Sequence, residues 1–316
     1  MRTFAKPRVV VSKCLEFAPC RYDGAMISNE FVRRLKHHVE FLPVCPEMEI
    51  GLGCPRQPIR VIQTAGQRRL VQPATGHDLT NAMDTFASAF LGTLEGVEGF
   101  LLKNRSPSCG IKDVKVYARP DAETPLAKAA GLFGAAVMER FPGAATEDEG
   151  RLTNSRLREH WLTNLFLLAE FRAVRARGRM ADMVDFHARS KSILMAYHQT
   201  VLRRLGRIVA NPRRQPMESV LADYAAMLPL ALARPPRPSA IVNVLMHCLG
   251  QVSDGLSHDE KAMFLDALEK YRARRLPLSA LLAMIKAWAV RFGHEGLIGQ
   301  SLLEPYPEAL VAETLE

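Results

Sequence analysis

Short apolar runs alternate with amphipathic stretches over the first 150 residues. We predict a strand in each apolar run, at residues 8–12, 41–45, 59–64, 99–103 and 114–118. Helical periodicity between these runs predicts helices at residues 27–39, 79–94 and 126–141. Ser28 is the predicted cap of the first helix, and Asp78 or Thr80 that of the second. This alternation predicts an α/β domain with a mainly parallel, Rossmann-like sheet.

The strand pattern ends near residue 150, and helical periodicity continues from there to the C-terminus. The stretch PGAATEDEG (142–150) is acidic and rich in small residues, which predicts a linker. We therefore expect two domains, an α/β domain over residues 1–145 and an all-α helical domain over residues 151–316.

Composition is typical of a soluble globular protein. The chain has 316 residues, of which 48% are hydrophobic and 24% charged. The apolar run near the N-terminus is too short for a secretion signal, and no window approaches the roughly 18 apolar residues of a membrane span. We expect a cytoplasmic protein with no membrane attachment, in which the six cysteines stay reduced.

The positive charge is concentrated in one segment. The formal net charge is +9, and residues 151–220 contain 14 Lys or Arg against 5 Asp or Glu. Residues 1–150 contain 19 against 17, and residues 221–316 contain 9 against 11. A localised basic surface is typical of a protein that binds a polyanion, although solvated helix ends give a similar pattern.

Three cysteines follow predicted strands. Cys14 comes after RVVV, Cys45 ends FLPVC, and Cys109 lies in the loop after GFLLK. Because the carboxyl ends of parallel strands meet at one edge of a sheet, we expect the three thiols to converge there. Soft sulfur ligands select zinc, copper(I) or iron–sulfur clusters, so the pattern favours a metal site over core packing. Cys248, within the apolar stretch IVNVLMHCLG, is a predicted core residue.

Three blocks around these cysteines resemble one family. VSKCLEFAPCRYDG, PVCPEMEIGLGCPR and KNRSPSCG, in this order, are similar to the motifs of the thiouracil desulfidase family, over most of the first predicted domain. The resemblance implies a [4Fe–4S] cluster held by Cys14, Cys45 and Cys109, with one iron left open as a Lewis acid. It leaves Cys20 and Cys54 as supernumerary cysteines.

The resemblance also implies catalytic residues. It assigns catalysis to the glutamate of the CPE block and a serine of the SPSC block, here Glu47 and Ser106, with Ser108 as the second choice. A carboxylate beside a polarised thiocarbonyl carbon can activate water, and a serine hydroxyl can hold the substrate or that water. Further residues at this edge are expected either to bind substrate or to fix the loops, namely Tyr22, Asp23 and Arg56.

The helical half resembles a domain of formerly unassigned function that occurs fused behind such desulfidase domains. The similar stretch, HWLTNLFLLAEF through HQTVLRRLGRIVA, is also where the positive charge lies. Similar two-domain proteins are tRNA 4-thiouridine desulfidases, so the resemblance implies tRNA containing 4-thiouridine as the partner, and a hydrolytic reaction without an electron donor. The cations expected to bind RNA phosphates are Arg172, Arg175, Arg177, Arg179, Lys191, Arg203, Arg204 and Arg207.

Two other functions stay open at this point. A desulfidase of free thiouracil or thionucleosides would use the same chemistry, and its helical domain would serve stability or dimerisation. A zinc-stabilised RNA-binding protein would have no catalysis. Because a free base carries no phosphate, the cationic segment favours tRNA.

Overall fold

The strands of the first half form two sheets. The computed structural model describes residues 2–311. In chain order, the strands are β1 (Arg8–Ser12), β2 (Glu40–Val44), β3 (Arg60–Thr64), β4 (Gln67–Gln72), β5 (His77–Asp78), β6 (Gly99–Leu102), β7 (Val114–Tyr117), β8 (Ala127–Ala129) and β9 (Ala145–Asp148). The first sheet has the order β2-β1-β6-β9 with every pair parallel, and the second has the order β5-β4-β3-β7-β8.

The all-parallel first sheet confirms the predicted mainly parallel sheet, and the second sheet is a separate, mixed sheet that was not predicted. β3 and β7 pair in parallel, but β4 and β8 flank them as antiparallel partners. The apolar pattern misses β4 because the first half of QRRLVQ is exposed and carries two arginines. The α/β class of this half is nevertheless confirmed.

Two predicted elements at the end of this half are wrong. The segment predicted as a helix at 126–141 begins with β8, and its helix covers only Leu132–Arg140, because Ala127–Ala129 pair with β7. The predicted linker at 142–150 contains β9, which pairs with β6 and buries Glu147 and Asp148. Pairing within a sheet has overridden local propensity in both places.

The helices dominate the second half, as predicted. In chain order, the α-helices of both halves are α1 (Glu30–Leu35), α2 (Pro46–Glu49), α3 (Thr80–Gly92), α4 (Leu132–Arg140), α5 (Ser155–Arg177), α6 (Met180–Ala210), α7 (Met217–Leu232), α8 (Pro238–Val252), α9 (His258–Arg272), α10 (Leu278–Arg291) and α11 (Glu295–Ile298). The first four lie in the first half. The cap of α1 is Asn29, whose Oδ1 accepts a hydrogen bond from Val32 N at 3.0 Å, and not Ser28. The N-cap of α3 is Leu79, which lies between the two predicted caps.

The longest helical stretch, α6, turns back on itself. His198 has extended backbone angles (φ −159°, ψ 92°), and its Nδ1 accepts a hydrogen bond from Val201 N at 3.4 Å at the start of the second half. A Cβ placed on Gly206 would lie 3.4 Å from His187 Nε2. A straight helix would separate these two residues by roughly 28 Å. The two halves of α6 therefore lie side by side.

The chain divides into two compact units. Among the described residues, the first comprises residues 6–169 and 309–311, and the second comprises residues 170–308 and 2–5. The division falls within α5, later than the boundary predicted at 145–151. No helix in the described part of the chain is both long and apolar enough to cross a membrane.

The core of the first unit joins the two sheets. Val10, Phe100 and Leu102 of the first sheet are buried together with inward-facing residues of the second sheet and with one face of α3 and α4. This packing fixes the carboxyl edge of the first sheet, where the strand-end loops meet.

Candidate active site

An open cavity of about 500 Å³ lies at the carboxyl edge of the first sheet. Its wall is formed by the loops that follow β1, β2 and β6, and by residues just before β3. Among the predicted site residues, those that line it are Cys14, Tyr22, Cys45, Glu47, Arg56, Ser106 and Cys109. The convergence expected from the strand order is confirmed.

The three predicted ligand cysteines are nearly buried in this wall. Cys14, Cys45 and Cys109 are 8%, 8% and 5% exposed. Cys45 is the N-cap residue of α2, and the Cys109 backbone N–H donates to Ser106 Oγ at 3.1 Å. Each thiol is therefore presented by a short, hydrogen-bonded loop at the end of a strand of the first sheet.

The structure separates the two cysteines that the resemblance leaves over. Cys20 is buried in the cavity wall, where its thiol is hydrogen-bonded with those of Cys14 and Cys45. Cys54 does not line the cavity, and its Sγ lies 3.1 Å from the carbonyl oxygen of Pro19. Cys20 thus joins the three predicted ligand cysteines in lining the cavity, whereas Cys54 lies outside the cavity.

Burial and mutual contact favour protonated thiols in the metal-free protein. Hydrogen bonding to Cys20, together with burial, raises the pKa of Cys45, and burial raises the pKa of Cys109. The hydrogen bond with Cys14 raises the pKa of Cys20 to about 11. Because metals bind thiolates, loading of a metal centre must release these protons.

The donor set of the cavity fits an iron–sulfur cluster in its chemistry. Thiolates are the ligands that such clusters take from proteins, and four cysteine thiols line this one cavity. Among residues 2–311, no three His, Cys, Asp or Glu side chains are placed to hold a metal ion. The cavity therefore fits an iron–sulfur cluster in the type of its ligands, and not in their present placement.

Glu47 is held at the cavity by hydrogen bonds to both carboxylate oxygens. Its Oε1 accepts a hydrogen bond from Ser108 Oγ at 2.9 Å and another from Ser106 Oγ at 3.4 Å. Its Oε2 accepts from Arg56 Nε at 2.9 Å and also from Arg56 Nη2. These donors fix the carboxylate in position. They also satisfy its oxygens, although the side chain is only 12% exposed to water.

Arg56 is fully engaged by the protein. Its side chain is 4% exposed, and its Nη1 donates to the carbonyl oxygens of Cys20 at 3.0 Å and Gly53 at 2.9 Å. Burial acts to lower its pKa, but the Glu47 carboxylate outweighs this and raises it. Of the two roles open for Arg56, the geometry favours fixing the loops and Glu47 over binding substrate.

The two serines of the SPSC block differ in access. Ser106 lines the cavity, and its Oγ accepts hydrogen bonds from the backbone N–H groups of Cys109 and Ser108. Ser108 is fully buried and is absent from the cavity wall. Ser106 can therefore contact a ligand in the cavity, whereas Ser108 only donates a hydrogen bond to Glu47 from the protein interior.

Tyr22 and Asp23 lie in different surroundings. Tyr22 is 46% exposed on the cavity wall, and its backbone carbonyl accepts from Arg56 N at 2.8 Å. Asp23 is outside the wall, where its Oδ1 accepts from Ala25 N at 3.1 Å and its carboxylate pairs with Arg21. The geometry thus gives Asp23 a turn-forming role.

Sequence reasoning missed residues that organise the loop after β6. Lys103 Nζ lies 2.6 Å from Glu149 Oε1, and Asn104 N donates to Glu149 Oε2 at 2.8 Å. Ser12 Oγ accepts from Lys103 N at 2.8 Å and is also hydrogen-bonded to the Cys109 thiol. Glu149 lies in the stretch predicted as a linker, so sequence reasoning had no ground for placing it near the site. Ser12 ends the predicted first strand and could have been found by the same strand-end rule that identified the cysteines.

The predicted RNA-binding cations fall into two groups in the second unit. Arg177 and Arg179 share Asp182, with N–O distances of 2.9 and 2.8 Å, and Arg172 is half-buried. The remaining cations are exposed and pair with no carboxylate in the described part of the chain, namely Arg175, Lys191, Arg203, Arg204 and Arg207. Because α6 folds back, cations from its two halves belong to one hairpin.

Two family models match the chain in succession. Residues 9–149 match the model described as 2-thiouracil desulfurase. Residues 191–307 match a model described as a protein of unknown function, DUF1722. The first match covers every residue of the cavity wall, and the second covers the unpaired cations of α6.

Individual proteins match one part of the chain or another. The uncharacterized protein YbgA of Escherichia coli (strain K12) is 27% identical over 157 residues, which are 49% of this chain and 93% of that protein. The uncharacterized protein YbbK of Bacillus subtilis (strain 168) is 31% identical over 109 residues, which are 32% of this chain and 72% of that protein. A solved structure, described as a [4Fe-4S]-dependent thiouracil desulfidase TudS, is 30% identical, covers 47% of this chain and 94% of its own, and has a TM-score of 0.38.

Proposed function

Since this chain belongs to the 2-thiouracil desulfurase family, we propose that it is an iron–sulfur-dependent desulfidase that converts 4-thiouridine in tRNA to uridine and sulfide. The observation that carries the chemistry is the cavity in which buried thiols lie beside the Glu47, Ser106 and Arg56 network. The reaction belongs in the cytoplasm, where tRNA resides and thiols stay reduced.

Cys14, Cys45 and Cys109 are the proposed ligands of the cluster. A bound [4Fe–4S] cluster with one open iron would supply a Lewis acid for the thiocarbonyl sulfur. Cys20, which is hydrogen-bonded to two of the ligand thiols, closes the same wall of the cavity.

Glu47 is the proposed base of the reaction. Water adds to the ring carbon that carries sulfur, the carbon–sulfur bond breaks, and sulfide leaves with the protons of that water molecule. No electrons are exchanged with an outside donor. Arg56 and Ser108 hold the carboxylate in one orientation, so its approach to the water is set before substrate arrives.

Ser106 is the proposed hydroxyl contact for the substrate or the attacking water. It lines the cavity and can donate to Glu47 Oε1, so a proton can pass between the cavity and the carboxylate through its Oγ. The backbone N–H groups of Ser108 and Cys109 hold that oxygen from the other side.

The unpaired cations of the helical unit carry the tRNA part of the proposal. A cation without a carboxylate partner can exchange its counterion for an RNA phosphate, and the gain comes largely from counterion release. Arg203, Arg204 and Arg207 are exposed and unpaired among the described residues, and a free thiobase would offer them no phosphate. The thiolated nucleotide must be turned out of its stack to enter the cavity, at a cost of a few kcal/mol.

Anaerobic reconstitution with iron and sulfide tests this function. The wild-type chain should become brown, bind iron, and release sulfide from tRNA that contains 4-thiouridine. Cys109→Ala should lose both iron and sulfide release, whereas the matched control Cys248→Ala, which removes a buried thiol from the helical unit, should keep both.

Two results would redirect the proposal. A colourless, zinc-loaded protein that binds tRNA without releasing sulfide would indicate a zinc-stabilised RNA-binding protein. Release of sulfide from free thiouracil or 4-thiouridine, but not from tRNA, would indicate a desulfidase of free thiobases.

A further inference from the structure

The outer face of the second sheet carries a row of cations in the desulfidase unit. Val61 and Val116 pair across β3 and β7 and face the core. Side chains alternate along a strand, so the residues before them, Arg60 and Lys115, lie on the opposite, outer face. Lys128 is directly opposite Lys115 in the pairing of β7 with β8. The three cations therefore occupy neighbouring positions on three adjacent strands, about 4.8 Å apart from strand to strand.

This row has no acidic partner. Lys115 and Lys128 are exposed, and neither they nor Arg60 pairs with a carboxylate within residues 2–311. Arg60 donates only to neutral carbonyl oxygens, those of Pro120 at 3.2 Å and Ala122 at 2.9 Å. Like charges directly opposite each other in an antiparallel pair are destabilising. The sheet thus bears a repulsion that a bound polyanion would relieve.

An aromatic and apolar row runs beside the cations. Ile62 and Tyr117 pair across β3 and β7 on the same outer face, where Ile62 is buried beneath its neighbours and Tyr117 is half-buried. The Arg60 guanidinium lies 4.6 Å from the centre of the Tyr117 ring. Leu126, which precedes β8 and is 64% exposed, lies two residues before Lys128. Sheets that combine aromatic side chains with cations in this way bind single-stranded RNA by stacking and phosphate contacts.

The cation row begins at the wall of the cavity. Pro58 and Ile59 line the cavity, and Arg60 follows them as the first residue of β3. Val114 lies against Gly110, where a Cβ would come 2.4 Å from the valine, and Lys115 is the next residue. The starts of β3 and β7 are therefore anchored at the cavity loops.

We propose that the row of Arg60, Lys115 and Lys128, with Tyr117 beside it, is a second docking surface that binds the RNA strand next to the nucleotide in the cavity. This inference rests on the proposed function, because it takes the substrate to be part of an RNA chain. It places RNA contacts within the desulfidase unit itself, in addition to those of the helical unit.

Matched single charge reversals in the full-length protein test this surface. In Lys115→Glu the new carboxylate faces Lys128, so the hairpin should be at least as stable as before, while tRNA binding weakens. The control is Arg140→Glu, an exposed position at the end of α4, the helix that packs through Phe133 and Val137 on the inner side of this sheet. Binding is measured by fluorescence anisotropy with tRNA over a range of salt concentrations, and stability by thermal unfolding.

We expect Lys115→Glu to raise the Kd for tRNA about five- to tenfold and to reduce the slope of log K against log salt by about 1. Tyr117→Leu should weaken binding without changing that slope, because stacking releases no counterions. Arg140→Glu should leave both quantities near the wild-type values.

Three outcomes would overturn the inference, and they are distinguishable. If wild-type protein binds tRNA and Lys115→Glu binds it equally well, only this surface is refuted. If Lys128→Glu aggregates while tRNA affinity is unchanged, the lysines serve to protect the edge strand β8. If the wild-type chain binds no tRNA, this surface and the tRNA substrate of the proposed function are refuted together.

Discussion

The cavity of the first unit and the cationic hairpin of the second use charge in opposite ways. Glu47 and Arg56 are nearly buried, and their oxygens and nitrogens are engaged with each other and with neighbouring groups. Arg203, Arg204 and Arg207 are exposed and pair with no carboxylate among the described residues. A reaction that needs one fixed geometry requires satisfied, immobile groups, whereas binding of a flexible polyanion requires charges that are still available.

The largest expected effect comes from replacing Glu47, the proposed general base in the cavity. Glu47→Gln keeps the shape of the side chain but removes its negative charge, so kcat for sulfide release should fall by about 10²- to 10⁴-fold on tRNA and free substrates alike. The matched control is Glu49→Gln, an exposed glutamate on the same short helix. Unchanged iron content in both variants would show that the loss lies in catalysis, and an unimpaired Glu47→Gln would remove Glu47 from that role.

Breaking the buried ion pair should affect both activity and stability. Arg56→Ala leaves the Glu47 carboxylate without its bidentate partner, which should lower the free energy of unfolding by about 3 kcal/mol. Arg56→Lys should recover part of the stability but less of kcat, because lysine has no planar pair of donors. Urea unfolding and steady-state kinetics measure the two effects, and Arg69→Lys, in the exposed pair with Asp78, is the control.

Neutralising unpaired and paired cations of the helical unit should give unequal results. The triple change Arg203→Gln, Arg204→Gln and Arg207→Gln should raise the Kd for tRNA at least tenfold and reduce the salt slope by nearly 3. The double change Arg177→Gln and Arg179→Gln should have less effect per residue, because Asp182 already neutralises part of their charge. Equal effects per residue would contradict the distinction between paired and unpaired cations.

The smallest expected effect concerns Asp182. Hydrogen bonds from Arg179, and secondarily from Arg177, lower the pKa of Asp182 from 3.8 to about 2. A carboxylate whose pKa is lower in the folded state contributes stability above its unfolded pKa and loses it on acidification. The stability that Asp182 contributes should therefore be constant above about pH 5 and be lost only as the pH falls from about 4 to about 2. Denaturant unfolding of wild type and Asp182→Asn between pH 5 and 8 should show a difference in stability that does not vary with pH.

Sequence reasoning located the cavity because its chemistry lies at strand ends. Cys14, Cys45 and Cys109 follow apolar runs that are unambiguous strands, and the rule for parallel sheets then brings them together. The same reasoning misplaced β9, because PGAATEDEG is polar and small, and its burial depends on a pairing with β6 that is distant in sequence.

Other features could not have been read from local pattern. The helical periodicity of residues 180–210 is continuous, and neither Pro nor Gly marks the reversal at His198, so the hairpin in α6 is set by tertiary packing. The place of Cys20 in the cavity depends on the path of the loop that follows β1. Which arginines are paired also depends on contacts such as those of Asp182, and charge counting cannot detect them.

The most direct test of this division of labour compares tRNA-borne and free 4-thiouridine as substrates of the reconstituted protein. The Arg203→Gln, Arg204→Gln, Arg207→Gln variant is assayed for sulfide release beside wild type. We predict that its kcat/KM falls at least tenfold on tRNA and stays unchanged on the free nucleoside. Equal loss on both substrates, or loss on neither, would contradict the assignment of chemistry to the cavity and of RNA binding to the cationic hairpin.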